Sequence, residues 1–505
     1  MTAGTRVGPG ALVLVTGATG YIGGRLVGEL LAAGYRVRCL VRTPAKLDAA
    51  PWRTDVEIVA GDVEGDLSGV FTDVAAAYYL VHGIGSAADW VERDRRAAAN
   101  VRDAAAAAGV ARIVYLGGLG DEGSAGRALS AHLASRHDVG RELAAGPVPV
   151  TELRAAVIIG SGSASFEMLR YLVEVLPVMV TPRWVDTRCQ PIAVRDVLRY
   201  LVQVLEVPDT AGAILEIGGP DVLTYRRMME IYAEEAGLRR RLVIPVPVLS
   251  PRLSSWWVGL VTPLPRSLAR PLVDSLVNEV VVHDDRILRL CPGPLLPYRS
   301  AVRLALGRIR AGEVTTSWAG AELGGRSHAD PMPTDPNWSG GTVRTDRRST
   351  TVAAPPEDVY AVITGIGGAT GWYTGEWLWS LRGVLDKLAG GPGMRRGRRD
   401  PVDLRVGDAL DFWRVEALEP RRRVRLRAEM RLPGDAWLEW RIDPAPGDPS
   451  RSVVHQLARF HPRGLLGRVY WLAVAPFHRF VFPGMLGGIA VEAERRARAG
   501  RPATA

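Results

Sequence analysis

Cysteine is scarce in this 505-residue chain: Cys39, Cys189 and Cys291 stand far apart, with no C-x-x-C pair. That spacing argues against a disulfide framework and against a zinc site, and it fits a reducing compartment. Long hydrophobic runs are also missing. Residues 471–475 and 481–490 are the longest, and Pro476, His478, Arg479 and Pro483 break them short of the ~20 apolar residues a spanning helix needs. Residues 1–10 carry no apolar signal core. A cytoplasmic location is expected, with peripheral membrane contact left open.

Charge of one sign does not dominate either. Lys+Arg 63 against Asp+Glu 54 gives a formal +9, and nearly all of the basic residues are arginine in a chain crowded with Ala and Gly. Compositional bias explains this better than nucleic-acid binding. The arginine runs Arg395, Arg396, Arg398, Arg399 and Arg421, Arg422, Arg423 read as solvated faces, the second in a turn between strands. The hydrophobic fraction, 47%, is that of a globular protein too long for one core.

From Ala11 the chain alternates short apolar runs with longer Ala/Leu-rich segments. Residues 12–16, 36–41, 56–60, 76–81, 113–116 and 150–159 read as buried parallel strands, because apolar residues continue without alternation. Residues 25–33, 91–108 and 127–145 have helix composition, and 214–218 and 225–235 read as a further strand and helix. The expected fold is a doubly wound α/β Rossmann sheet. Residues 1–160 form its core, 161–318 complete the sheet and build a substrate-side lobe, and 319–341 are a Gly/Pro/Ser-rich linker. Residues 342–495 read as a second unit, α+β, with strands at 410–413, 424–430, 437–442 and 453–460 and one long helix last. Residues 496–505 are expected to be a disordered tail.

Thr16-Gly17-Ala18-Thr19-Gly20-Tyr21-Ile22-Gly23 follows a strand and opens a helix, the context in which a glycine pattern binds a dinucleotide. Gly17 permits the turn, Gly20 lets backbone approach a pyrophosphate, and Gly23 allows close helix packing. The phosphates then face the N-terminus of the helix. The second strand ends in Arg42, with Lys46 close behind and no carboxylate before Asp48, which favours NADP(H) over the alternative NAD(H). Asp62 and Val63 follow the third strand at the adenine edge, and His82 follows the fourth. Thr19, Tyr21 and Ile22 complete the cofactor-binding set.

The T-G-A-T-G-Y-I-G loop with G-D-V after the third strand resembles the extended and atypical short-chain dehydrogenase/reductases. Stretches 79–82, 112–119 and 190–197 look like the NmrA-like subgroup and the NADP(H)-binding accessory subunit of respiratory complex I. The second unit, with Gly371-Trp372-Tyr373 and Asp411 to Val415, resembles the uncharacterised domain fused to such proteins, itself similar to START-like helix-grip folds. That resemblance implies an apolar cavity in the second unit, lined by aromatics such as Trp372, Trp377, Trp379, Trp413, Trp437 and Trp440. Trp256, Trp257 and the apolar residues to Val261 read as a buried helix of the substrate lobe.

Active members of the family carry a Tyr-x-x-x-Lys pair and a Ser or Thr at the end of strand five. Here the helix offers His132 and Arg136, and the strand ends in Gly117-Gly118; Ser130 or Ser135 would have to substitute for the hydroxyl. The expectation is that His132 is the acid and Arg136 holds the ribose and phosphate, in an oxidoreductase for an apolar carbonyl or quinone-like compound held partly by the C-terminal domain. A non-catalytic NADP(H) sensor or assembly factor, and a lipid or isoprenoid carrier, are the alternatives. No metal site and no nucleic-acid partner are expected, and the oligomeric state is open.

Overall fold

The computed structural model describes residues 5–48, 50–82, 90–120, 129–246, 266–310, 343–367, 371–374, 404–430 and 432–499. The expected linker 319–341, Trp256, Trp257, Trp377, Trp379 and the arginines 395–399 lie outside these. The chain divides into two compact units, Met1–Gly341 and Thr342–Ala505.

The N-terminal unit is built on a seven-stranded sheet. Its strands are β1 (Leu12–Thr16), β2 (Arg36–Val41), β3 (Glu57–Ala60), β4 (Val74–Tyr79), β5 (Arg112–Gly118), β6 (Val150–Ala155) and β7 (Ile214–Ile217). Every pairing is parallel, in the order β7-β6-β5-β4-β1-β2-β3, a Rossmann-like arrangement. All five residues of β1 are buried, as a central strand covered on both faces requires. The covering helices are α1 (Tyr21–Ala32), α2 (Trp90–Ala107), α3 (Ala131–Ala144) and α5 (Val194–Gln203), while α4 (Ala164–Val175) and α6 (Tyr225–Glu235) pack on each other in a second core beside the sheet. Helices α7 (Arg266–Ser275), α8 (Arg286–Leu290) and α9 (Tyr298–Arg310) follow. Residues 150–159 are two strands rather than one: β6 ends at Ala155, and Ile158–Ile159 pairs with Ile192–Ala193 instead. The break frees Ala156 and Val157 from the ladder, and both line the cavity described below.

Helix α4 carries a buried charge cluster. Arg170 is fully buried, with its Nε donating to Glu174 Oε1 at 3.2 Å and a nitrogen 3.6 Å from Glu167. Tyr232 on α6 donates to the same Glu174 oxygen at 2.7 Å, tying the two helices together. All three cysteines are buried free thiols.

The C-terminal unit is an antiparallel sheet with one long helix. Its strands are β8 (Arg344–Val352), β9 (Ala409–Leu410), β10 (Trp413–Glu419), β11 (Arg423–Ala428), β12 (Gly434–Ala445) and β13 (Asp448–Pro462), in the order β8-β13-β12-β11-β10-β9. Two helices complete it, α10 (Pro356–Thr364) and α11 (Gly464–Ala499). Residues 410–413 are not one strand: Leu410 ends β9, Asp411 and Phe412 form the turn, and Trp413 opens β10. Asp411 takes φ 53 there, and its carboxylate accepts from Trp372 Nε1 at 2.9 Å. Arg421 and Arg422 sit in the turn, exposed, with Arg421 at φ 62, while Arg423 opens β11 and is half-buried. Trp372, Trp413, Trp437 and Trp440 are core residues; Trp372 stacks on Phe412 at 6.2 Å, and Trp440 donates to Gln456 at 2.9 Å.

Pro476 and Pro483 stand inside α11 instead of ending it, so the helix is long and apolar enough to cross a membrane by length and composition. It also runs to Ala499, through the first residues of the expected tail. Arg496 and Arg498 donate to Glu492 and Glu494 one turn earlier, which extends the helix to there.

Candidate functional site

Gly17 takes φ +79, a conformation only glycine adopts freely, and a Cβ there would lie 2.8 Å from the Leu80 carbonyl oxygen. A Cβ on Gly23 would lie 2.3 Å from the Gly17 carbonyl oxygen, so the first turn of α1 closes on the loop itself. Gly20 stands at the N-cap of α1 and is exposed; no side chain caps the helix. The positive end of the dipole and the first N–H groups thus face the opening, which suits a pyrophosphate. Tyr21 is held from both sides. Arg25 lies 4.0 Å over its ring, and a Cβ on Gly160 would meet its hydroxyl at 2.2 Å.

At the adenine end, the register Thr16↔Leu40 places Arg42 beside the glycine loop, exposed at the end of β2. Lys46 is exposed in the 3-10 turn Pro44–Leu47. Asp62 accepts the Glu64 N–H at 3.1 Å, and the buried Val63 offers its carbonyl to Asn100 at 2.8 Å, so the turn after β3 is fixed before any ligand arrives. Thr19 lies in the loop, half-buried.

A cavity of about 420 Å³ opens from the start of α1. Gly20, Tyr21, Ile22, Gly23, His82, His132 and Arg136 line it at one end. Met168, Leu169 and Leu172 of α4, Met228 and Met229 of α6, and Leu272 and Leu276 from α7 and the turn after it form an apolar wall. Among the described residues its lining falls between Gly20 and Val280, within the N-terminal unit. Gly17, Thr19, Arg42, Lys46, Asp62 and Val63 stand outside its lining.

The predicted catalytic pair divides. His82 Nδ1 lies 3.0 Å from Asp94 Oδ2, and His82 Nε2 lies 3.2 Å from His132 Nδ1. Asp94 is buried on α2, where it reads in sequence as one more charge among Glu92, Arg93, Arg95 and Arg96. An ionised carboxylate only accepts, so His82 carries its proton on Nδ1, its Nε2 accepts from His132 Nδ1–H, and His132 Nε2 keeps a lone pair. Burial pushes the His132 imidazole down to about 3, helped by His82 and Arg136. Burial and Arg136 also lower His82, against Asp94, which raises it. His132 is therefore neutral at pH 7 and a proton acceptor at rest, so it gives a proton only after taking one up.

Arg136 is correspondingly less free than expected. It donates to the Leu116 carbonyl, its guanidinium lies 5.0 Å from the Tyr115 ring, and Tyr115 donates to the Arg136 carbonyl at 2.9 Å. Those contacts spend part of its donor fork on the end of β5. A serine at the end of that strand would make a neighbouring side chain give way: a Cβ on Gly117 would lie 2.7 Å from Glu152 Oε1, and one on Gly118 2.8 Å from Leu133 Cδ2. Ser130 caps α3 by accepting from Leu133 N, and its hydroxyl lies 2.9 Å from that of Ser275. Ser275 lines the cavity and comes from α7, 145 residues away, where no sequence signal marks it. Ser135 is buried outside the lining. Among the described residues no group of His, Cys, Asp and Glu could hold a metal.

Residues 17–154 match a family described as NAD(P)H-binding. This part of the chain is an NAD(P)H-binding Rossmann-like domain. Residues 338–485 match a family described only as protein of unknown function, DUF2867. None of the curated proteins matches the chain. Similar solved structures include the NADPH-dependent quinone oxidoreductase of Escherichia coli with NADPH, 19% identical with a TM-score of 0.48. The triphenylmethane reductase of Citrobacter sp. is 21% identical, also with a TM-score of 0.48. Each alignment covers 58% of this chain and 99% of the other. A nucleoside-diphosphate-sugar epimerase from Staphylococcus aureus is 17% identical with a TM-score of 0.47, over 58% of this chain and 99% of that one. The glycine loop and the free start of α1 described above are the parts of the NAD(P)H-binding domain that fit the dinucleotide.

Proposed function

We propose that the N-terminal unit is an NADP(H)-dependent oxidoreductase acting on an apolar carbonyl or quinone-like compound. One observation carries this reading: a single cavity joins the start of α1 to His132 and to an apolar wall. Gly17, Thr19, Gly20, Tyr21, Ile22 and Gly23 hold the pyrophosphate side, and Asp62 and Val63 the adenine side. Arg42, with Lys46, favours a 2′-phosphate. The bound cofactor supplies a hydride.

The protein's own residues handle the proton. His132 Nε2 takes it from an alcohol oxygen on oxidation and returns it to the carbonyl oxygen on reduction. On oxidation the proton on His132 Nδ1 passes to His82 Nε2 and the positive charge rests beside Asp94; reduction starts from that protonated His82, which takes its proton from solvent, and runs the same transfers backwards. Hydride and proton together make up the two-electron reduction, of C=O to CH–OH for a carbonyl and of a quinone to its hydroquinone. The methionine and leucine wall keeps water from the carbonyl and accommodates substrates of varied shape.

The sensor reading rests on the commitment of Arg136 to Leu116 and Tyr115 and on the absence of the usual hydroxyl. A panel of quinones, enones and aldehydes with NADPH separates the two. Oxidation that disappears in His132→Ala supports the enzyme; tight binding without oxidation across the panel supports the sensor. For the C-terminal unit the helix-grip reading is supported by strands that pair first with last and a long closing helix. The three buried thiols are consistent with a cytoplasmic location.

A further inference from the structure

Helix α11 has two unlike halves. Beyond Val481 it is a core helix, with Phe482, Met485, Leu486, Ile489 and Ala493 buried in the C-terminal unit. Before Val481 only Gly464 and Gly467 are buried. One face of that first half is still anchored: Trp471 stacks on Phe460 at 5.8 Å, and His478 meets the Phe482 ring at 4.6 Å.

The other face is apolar and uncovered. Leu466 is 74% exposed, Leu472 71% and Phe480 74%, and Leu465, Val469 and Phe477 are exposed beside them. At 100° per residue these six fall within a stripe roughly 140° wide. A water-facing helix would carry polar residues there. Arg468 and Arg479 fall together along one edge of the stripe, and no carboxylate occurs between Ser450 and Val491.

We propose that the first half of α11 docks the protein on an anionic lipid bilayer, with the stripe in the acyl boundary and Arg468 and Arg479 at the headgroups. Charge selects this occupant: an apolar stripe edged by cations and free of carboxylates matches a negatively charged membrane surface. The helix lies in the interface and does not span, because its second half is part of the core of its own unit. The proposal concerns this unit alone and is independent of the reaction assigned to the other.

The test is flotation of the full chain with vesicles of phosphatidylcholine containing about one third phosphatidylglycerol. The chain is expected to float with these vesicles, and Leu472→Glu with Phe480→Glu is expected to reduce the floated fraction about tenfold or more. Leu472→Gln with Phe480→Gln does the same with a milder change, and Val406→Glu, at an exposed apolar residue outside the helix, has no effect. Arg468→Gln with Arg479→Gln weakens binding to the anionic vesicles selectively. Far-ultraviolet dichroism and the tryptophan fluorescence of the C-terminal core report that each variant is folded. Two results overturn the proposal: no flotation of the parent chain, or a dimer in the absence of vesicles that the Leu472/Phe480 variants convert to monomer, which would assign the stripe to a second copy.

Discussion

His82 and His132 face each other across 3.2 Å, Nε2 to Nδ1, and the far nitrogen of His82 is held by Asp94 at 3.0 Å. In the proposed reaction this chain of three residues is the proton path.

His132→Ala is expected to lower kcat by about 10²–10⁴, the range for a positioned acid–base group, with NADPH affinity unchanged. Asp94→Asn is expected to lower kcat less and to move the pH profile, since it withdraws the charge that receives the proton without touching substrate. Steady-state kinetics across pH checks both; an unchanged profile in Asp94→Asn removes it from the path.

Stability should fall in acid for the same reason. The unfolded chain protonates His132 near its ordinary 6.5, whereas the folded protein holds it neutral down to about 3. Its contribution is therefore fully present above about pH 6.5 and is lost as pH falls through the interval between the two values. By about pH 5 the loss amounts to roughly 2 kcal/mol for this one group. Urea denaturation of His132→Asn between about pH 7 and 5 should give a flatter dependence than the parent chain. Identical slopes would show that His132 is protonated in the fold.

Arg42→Ala should weaken NADPH binding about tenfold, the value of one charge-assisted hydrogen bond, and leave NADH unaffected. Fluorescence titration with both nucleotides decides it. Equal losses for the two would place Arg42 away from the 2′ position.

Leu172→Trp should fill the apolar end of the cavity. The expected result is a KM raised about tenfold or more for bulky substrates, with NADPH affinity kept, because the glycine loop stands at the other end. Loss of both would mean that the indole had disturbed α4 itself.

The glycine loop, Arg42 and the parallel strands were legible because each is a local pattern: a turn that only glycine makes, a residue at a strand end, an unbroken apolar run. The His82–Asp94 contact was not. Twelve residues separate the two, and nothing in the spacing says that the end of β4 meets the first turn of α2. Ser275 reaches its neighbour Ser130 across 145 residues, a distance no local pattern spans. Residues 410–413 misled because the apolar Leu410, Phe412 and Trp413 read as strand, while Asp411 was needed at positive φ to bond Trp372. Prolines 476 and 483 misled in the opposite direction. The packing of Trp471, His478 and Phe482 holds the helix through both.

The two glycines that end β5 also limit what engineering can do here. A serine placed at 117 would press on the Glu152 carboxylate, and one at 118 on Leu133 of the helix that carries His132. Grafting the tyrosine–lysine–serine chemistry onto this scaffold is therefore not a matter of three exchanges. The Glu152 carboxylate or the Leu133 side chain would have to turn aside first, and both are packed in the buried ground between that strand and the helix that carries His132.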